Sequence, residues 1–388
     1  MADSESVSAE SGVERFPIID VDTHTTTPLG SPEVQECVPK GWCDWLARVG
    51  FRYPVMYGER LRQKLLAQRS DAFTPTGGLP GSDPRFVRTQ LLDEDDVSGA
   101  VLNETYGLFG DGGRAMPDAL SVAFTRAYNE LLIEKWMAFG DRWYGSICVS
   151  HDVSGEAAAE EIRRCKEDSG VYNDRWVQAL LPPDGEGPIG NPTYWPMSEA
   201  CEHYGIPVGF HVPATHRLTG TGIPNYYLEE HTDYAGYNLP LVATLIFEGV
   251  FERFPKLKIA HVELGWSWAA PVAWRLGHAY ALHRAELPHL PRRPSEYLAE
   301  HFWFANQPME EAENLEWFDE VYQLFEDSFG DKLMYSSEYP HWDYDMPETV
   351  PLALPTRTRR RILGETAAKS YGILLRPGTG LPVELATI

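Results

Sequence analysis

Basic residues are scarce in this chain: 33 Lys and Arg stand against 57 Asp and Glu, a formal net charge of -24 over 388 residues. That balance argues against a nucleic-acid partner, because neutralising phosphates requires a basic surface. Cysteine is scarce as well. Cys37, Cys43, Cys148, Cys165 and Cys201 are odd in number and contain no CxxC pair, which argues against a disulfide scaffold or a zinc finger and fits a reduced, cytoplasmic setting. No apolar run approaches the ~18 residues that span a bilayer, and no signal-peptide pattern opens the sequence, so no membrane association is expected. Internal repeats and low-complexity linkers are absent too, which leaves one domain. Residues 1–15 are polar and Ser/Glu-rich and read as a disordered tail, residues 16–376 as a single catalytic domain, and residues 377–388 as a C-terminal tail. What the chain has in quantity is apolar and aromatic surface. Hydrophobic residues make up 43%, with 12 Trp and 19 Tyr, enough for a thick core or a greasy substrate pocket.

Short apolar runs alternate with longer helical patterns. Residues 16–21, 99–103, 143–150, 176–181, 206–211, 257–261, 302–305 and 332–336 read as strands. Helical spacing fills 117–139, 155–166, 195–204, 241–254, 266–283, 315–329 and 358–371. This rhythm predicts an α/β fold, a parallel (β/α)8 TIM barrel. Three Pro/Gly/aromatic-rich stretches interrupt it, residues 28–84, 212–240 and 286–297, and read as loops or insertions over the C-terminal mouth. A closed barrel offers no free strand edge, so a homodimer would form through helices or insertions.

Functional groups of such barrels sit at the C-terminal ends of strands. The first strand runs into Asp20, Asp22 and His24, metal-type side chains at every second position and so on one face. The second ends in Glu104, the fifth in His211, the sixth in His261 followed by Glu263, and the eighth in Glu338 and His341. A lone strand-end histidine is an ordinary polar residue. Four histidines and three carboxylates at the ends of five strands point to a metal centre instead, with Asp22, His24, Glu104, His211, His261, Glu338 and His341 as candidate ligands. Asp20 reads as structural, and Glu263 as either a ligand or an acceptor that orients one. His151, His216 and His231 fall in expected loops. A basic cluster, Arg357, Arg359, Arg360 and Arg361 with Arg292 and Arg293 upstream, reads as a solvated helix start.

Several segments resemble the amidohydrolase-related (amidohydrolase 2 type) metal-dependent TIM barrels, in the branch that includes decarboxylases of carboxylated aromatic and muconate acids. They are IDVDTH from residue 19, GFHVP from 209, AHVELGWSW from 260, PSEY from 294, YSSEYPHWD from 335 and GETAAKSYG from 364. The resemblance places Asp22 and His24 at the strand-one metal pair, and His211 and His261 at the ligand positions of strands five and six. Glu338 takes a position that is normally Asp. Strand four offers Gln178 and no lysine, so the carbamylated lysine of dinuclear hydrolases is missing. Thr27 stands where many relatives carry Glu, and Glu104 adds a carboxylate the family usually lacks.

These departures favour a two-metal reading. Asp22, His24, His211 and Glu338 would hold one ion and Glu104, His261 and His341 a second. Mixed histidine and carboxylate ligation of this kind resembles a branch of nonheme diiron monooxygenases from terpenoid biosynthesis. The resemblance implies two irons per chain, dioxygen as co-substrate, and hydroxylation of a hydrophobic substrate, free or linked to coenzyme A, whose phosphates the arginine cluster would meet. Glu338, His261 and Glu104 are the candidate catalytic groups. The alternative is a hydrolase or non-oxidative decarboxylase using one zinc or manganese, with His261 or Glu338 transferring the proton.

Overall fold

A computed structural model describes residues 15–49, 67–106, 116–151, 153–183, 185, 187–212, 225–310, 312–350, 354–376 and 381–382. Eight parallel strands follow one another in sequence order: β1 (Ile19–Thr25), β2 (Gly99–Glu104), β3 (Trp143–Cys148), β4 (Trp176–Leu181), β5 (Val208–Phe210), β6 (Ile259–His261), β7 (Phe302–Ala305) and β8 (Leu333–Met334). The segment after β8 returns to β1. The Val21 N–H donates to the Tyr335 carbonyl at 3.0 Å and that of His24 to the Tyr339 carbonyl at 2.7 Å. The expected barrel is therefore present, with helices between its strands.

Strand limits differ from the sequence pattern where backbone pairing overrides side-chain type. β1 continues through the polar run to Thr25 because its backbone has partners on both sides, β2 and the Tyr339 segment. Pro17 precedes β1, and Arg15–Phe16 instead pair antiparallel with Leu381–Pro382, inside the segment expected to be a C-terminal tail. The expected N-terminal tail, residues 1–14, lies outside the described residues. Of the three insertions, the first contains helices Pro32–Cys37 and Lys40–Val49, the former capped by Ser31, whose hydroxyl accepts from the Val34 N–H. Residues 213–224 of the second are outside the described set, and its remainder carries helices Tyr227–Thr232 and Asn238–Phe247. The third leads into helix Pro294–His301. Gly249, at φ 76°, splits the helix expected over 241–254 into Asn238–Phe247 and Val250–Arg253, a conformation that glycine adopts without a Cβ clash.

The aromatic load lies mainly in the core. Trp136, Trp143, Trp176 and Trp266 are fully buried, and a large apolar cluster joins the outer faces of the strands to the helices. A smaller cluster, including Ile19, Val101, Val177, Ala260, Met334 and Tyr371, joins the strands to the last helix, Thr366–Tyr371. Among the described residues no helix is long and apolar enough to cross a membrane.

Candidate metal centre

The register of β1 against β2 shifts between Asp20 and Thr23, which separates the two aspartates by role. Asp20 accepts four hydrogen bonds, from the Asp22 N–H at 3.0 Å, the Thr23 hydroxyl at 2.7 Å, and the Ser337 N–H and hydroxyl at 3.0 and 2.6 Å. It ties β1 to the chain leaving β8. Asp22 and His24 turn instead into the barrel mouth.

There Asp22, His24, His211, Glu263 and Glu338 each offer one ligand atom, all within 4.8 Å of one another and all buried. His24 Nε2 lies 3.3 Å from Asp22 Oδ1, 2.9 Å from Glu338 Oε1 and 3.3 Å from His211 Nε2. His211 Nε2 lies 2.9 Å from Glu263 Oε2. Its Nδ1 sits 2.9 Å from the Val212 carbonyl, which can only accept, so Nδ1 carries a proton and Nε2 is the nitrogen that faces the centre. Glu263 and Glu338 reach the cluster from left-handed backbone, at φ 53° and 63°, a conformation that costs ~1–2 kcal/mol for a residue with a Cβ. Gly81, also left-handed at φ 72°, lies so close to β1 that a Cβ would fall 2.6 Å from the His24 carbonyl oxygen.

The electrostatics show what the cluster lacks. Burial and the neighbouring Glu338 charge push Asp22 up to about 7, and burial pushes Glu338 up to about 8. Burial drives His24 down to about 3. It would lower His211 as well, but the Glu263 and Asp22 carboxylates outweigh it and raise that imidazole to about 10. Glu263 Oε2 faces His211 Nε2, whereas Asp22 Oδ2 and Glu338 Oε2 are buried without a hydrogen-bond partner. Buried carboxylate oxygens in that state are strongly destabilised unless a cation takes them. Three carboxylates and two imidazoles suit a divalent ion such as manganese, zinc or iron, so the residues present fit a metal.

The other candidates have different surroundings. Glu104 accepts from the Thr25 hydroxyl at 2.6 Å and from the Thr27 and Tyr106 N–H groups at 3.0 and 3.3 Å. Burial pushes it up to about 7. His261 holds the Asn238 side-chain oxygen at 2.7 Å through Nδ1, stacks on Phe302 and Phe304, and is driven down to about 3 by burial, with Nε2 buried and unpartnered. His341 Nδ1 lies 2.6 Å from Glu338 Oε1, and its ring centre is 4.4 Å from that of His24. Glu104 and His261 thus pair away from the cluster while His341 lies against it through Glu338, and the described residues contain one metal-type group rather than two. Glu263 is the group the sequence pattern undervalues. Strand alternation pairs it with His261, but β6 stops at His261 and the positive φ swings Glu263 to His211.

A family profile described as Amidohydrolase matches residues 19–373. The 2-amino-3-carboxymuconate-6-semialdehyde decarboxylase of Dictyostelium discoideum is 25% identical over 298 residues, which cover 74% of this chain and 76% of that protein. Among solved structures, 5-carboxyvanillate decarboxylase from Sphingomonas paucimobilis superposes with a TM-score of 0.63 at 18% identity, over 92% of this chain and 100% of that one. Dihydroxybenzoic acid decarboxylase from Polaromonas, with bound manganese and the inhibitor 2-nitroresorcinol, gives 0.62 at 17% identity, over 92% and 97%. At those identities the structural likenesses establish the fold.

These relatives correct the oxidative reading. They are decarboxylases, so the expectations of a diiron monooxygenase, of dioxygen as co-substrate and of an oxidoreductase do not stand. Two irons per chain lack support as well, since one ligand group is present among the described residues and the metal in the Polaromonas enzyme is manganese. A coenzyme A-linked substrate falls with them, because the relatives act on small carboxylated acids. Three of the six arginines meant for its phosphates are paired with acids: Arg360 with Glu365 at 2.7 Å, Arg361 with Glu326 and Asp331, and Arg292 with Glu300 at 2.5 Å. The barrel, the ligand cluster at its mouth and a profile match spanning nearly the whole chain lead to one assignment: this chain belongs to the amidohydrolase family.

Proposed function

We propose that this chain is a divalent-metal-dependent, non-oxidative decarboxylase of a small carboxylated aromatic or muconate-type acid. The observation that carries the reading is the single buried group Asp22, His24, His211, Glu263 and Glu338, in which Asp22 Oδ2 and Glu338 Oε2 have no hydrogen-bond partner. The likeness to the Dictyostelium decarboxylase supplies the reaction class. In this reading Asp22, His24, His211 and Glu338 hold the ion, most suitably manganese or zinc, with Glu263 as a fifth donor beside His211. A bound divalent ion would orient the substrate and draw negative charge away from the carbon losing its carboxyl group.

Decarboxylation breaks one carbon–carbon bond and leaves an electron pair on carbon, which must take up a proton. Glu338 and His341, with Oε1 and Nδ1 2.6 Å apart, can share that proton at the edge of the cluster. His261 is neutral, with its proton on the Nδ1 that faces the Asn238 oxygen, so its buried Nε2 is a lone pair and holds no proton to give. Water is kept away by the closed packing around these groups, all of which are buried.

The test is anaerobic turnover of the manganese-loaded protein on a panel of carboxylated phenols and carboxymuconate semialdehydes, following carbon dioxide release. Release without oxygen, with about one metal ion per chain, is the expected result. Oxygen-dependent product that incorporates label from dioxygen would overturn the reading.

A further inference from the structure

Asp22 is tied to a line of uncharged polar side chains that runs beneath the cluster across consecutive strands. Asn103 on β2 donates from Nδ2 to Asp22 Oδ1 at 2.6 Å. Ser146 on β3 donates to Asn103 Oδ1 at 2.5 Å, and Gln178 on β4 donates from Nε2 to the Ser146 oxygen at 2.8 Å. The line ends at Tyr371 on the last helix, whose hydroxyl donates to Gln178 Oε1 at 3.0 Å. All five residues are buried. Apolar side chains would fill a barrel interior at lower desolvation cost, so four consecutive polar groups there need a reason.

Chemistry fixes the direction of this line from both ends. A carboxylate holding a cation can only accept, so Asn103 must turn its amide nitrogen to Asp22 and its oxygen to Ser146. Ser146 must then donate to Asn103 and accept from Gln178, whose oxygen is left for a donor. Tyr371 is that donor, and burial together with the Asp22 charge raises its phenol and keeps it protonated. Gly209 on β5 makes the space: a Cβ there would stand 2.6 Å from Gln178 Oε1. The other Asp22 oxygen, Oδ2, is the one left without a partner.

We propose that Tyr371, Gln178, Ser146 and Asn103 form a one-way hydrogen-bond relay that positions Asp22, holding Oδ1 so that Oδ2 is presented to the metal. They are positioning residues, and the proposal rests on metal binding at the cluster described above. Gln178 thereby acquires a role on the strand that carries no metal-bridging lysine: it transmits orientation to a ligand instead of being one.

The test is the dissociation constant for Mn2+, measured by chelator competition on the full chain without substrate, for wild type, Tyr371→Phe, Asn103→Leu and the double variant. The thermal midpoint of each metal-free protein is measured alongside. Asn103→Leu should weaken Mn2+ binding ~10-fold or more, as loss of a ligand's hydrogen-bond partner does elsewhere, and Tyr371→Phe by about 3-fold. Because the relay acts as a unit, the double variant should bind no more weakly than Asn103→Leu alone. Gln178→Glu, which cannot donate to Ser146, gives a further arm: it should weaken binding more than Tyr371→Phe while the protein still folds. Multiplicative losses in the double variant, or unchanged affinity in Tyr371→Phe and Gln178→Glu, would show that these residues only fill the core. Failure of the wild type to bind Mn2+ would overturn the metal reading and the relay together. Binding by the wild type that the variants leave unaltered would overturn the relay alone.

Discussion

Glu104 and Glu338 are both fully enclosed acids near the C-terminal ends of barrel strands, and burial raises both, to about 7 and about 8. Their partners separate them. Glu104 accepts three hydrogen bonds from the turn at residues 25–27 and from Tyr106, whereas Glu338 Oε2 has no partner and Oε1 faces two imidazoles. Asp20 and Asp22 repeat the contrast within one strand: four hydrogen bonds to the first, an orphan oxygen on the second. A buried carboxylate satisfied by N–H and O–H donors belongs to the scaffold. One whose oxygens face imidazoles and other carboxylates is arranged around a cation.

The contrast can be broken most forcefully at Asp22. Asp22→Asn keeps the shape but removes the charge, and should lower metal content from about one per chain to near zero and turnover by roughly 10³-fold, measured by elemental analysis and steady-state kinetics. Removing the ion from the wild type with a chelator comes next. Activity should vanish and return on adding Mn2+, and the thermal midpoint should fall by about 3 °C, from a stabilisation of ~2.7 kcal/mol at a hundredfold excess over Kd.

Glu104→Gln should do the opposite of Asp22→Asn, leaving metal content intact and activity within about 3-fold. Its signature lies in the pH dependence of stability. The folded chain holds the Glu104 proton up to about 7, above the ordinary carboxyl value of 4.5. Its contribution is therefore fully present below pH 4.5 and lost as pH rises through 7. Gln cannot ionise, so the variant should gain on the wild type by on the order of 2–3 kcal/mol between pH 4.5 and pH 8 in denaturant titrations. A variant that loses metal would place Glu104 in the centre after all. The smallest effect is expected at Ser337→Ala, which removes one of the four bonds to Asp20. About 1–2 kcal/mol of stability should go, with Mn2+ affinity unchanged.

The fold and four members of the cluster were legible for one reason: parallel barrels expose functional groups where strands end, and Asp22, His24, His211 and Glu338 lie at or just beyond such ends. Glu263 was harder to place because alternation fails where a strand stops, and the backbone turn that redirects it has no sequence marker such as glycine. Glu104 looked like a ligand because residue type and strand position are visible in a sequence, while the N–H groups of Thr27 and Tyr106 that satisfy it are not. The same limitation produced the second metal. Counting donor side chains measures how many could bind, whereas ligation depends on which atoms converge.

The left-handed turns at Glu263 and Glu338 have a consequence for how such a centre can change. A side chain within a strand is bound to the barrel's alternation, so moving it to another face shifts every neighbour. A side chain on a reversed turn just beyond the strand is free of that constraint. Two of the five donors here are attached to the barrel like interchangeable fittings, adjustable in length and direction while the staves behind them stay in register. The ion such a barrel selects can thus be altered at its rim without re-solving the problem of how the barrel folds.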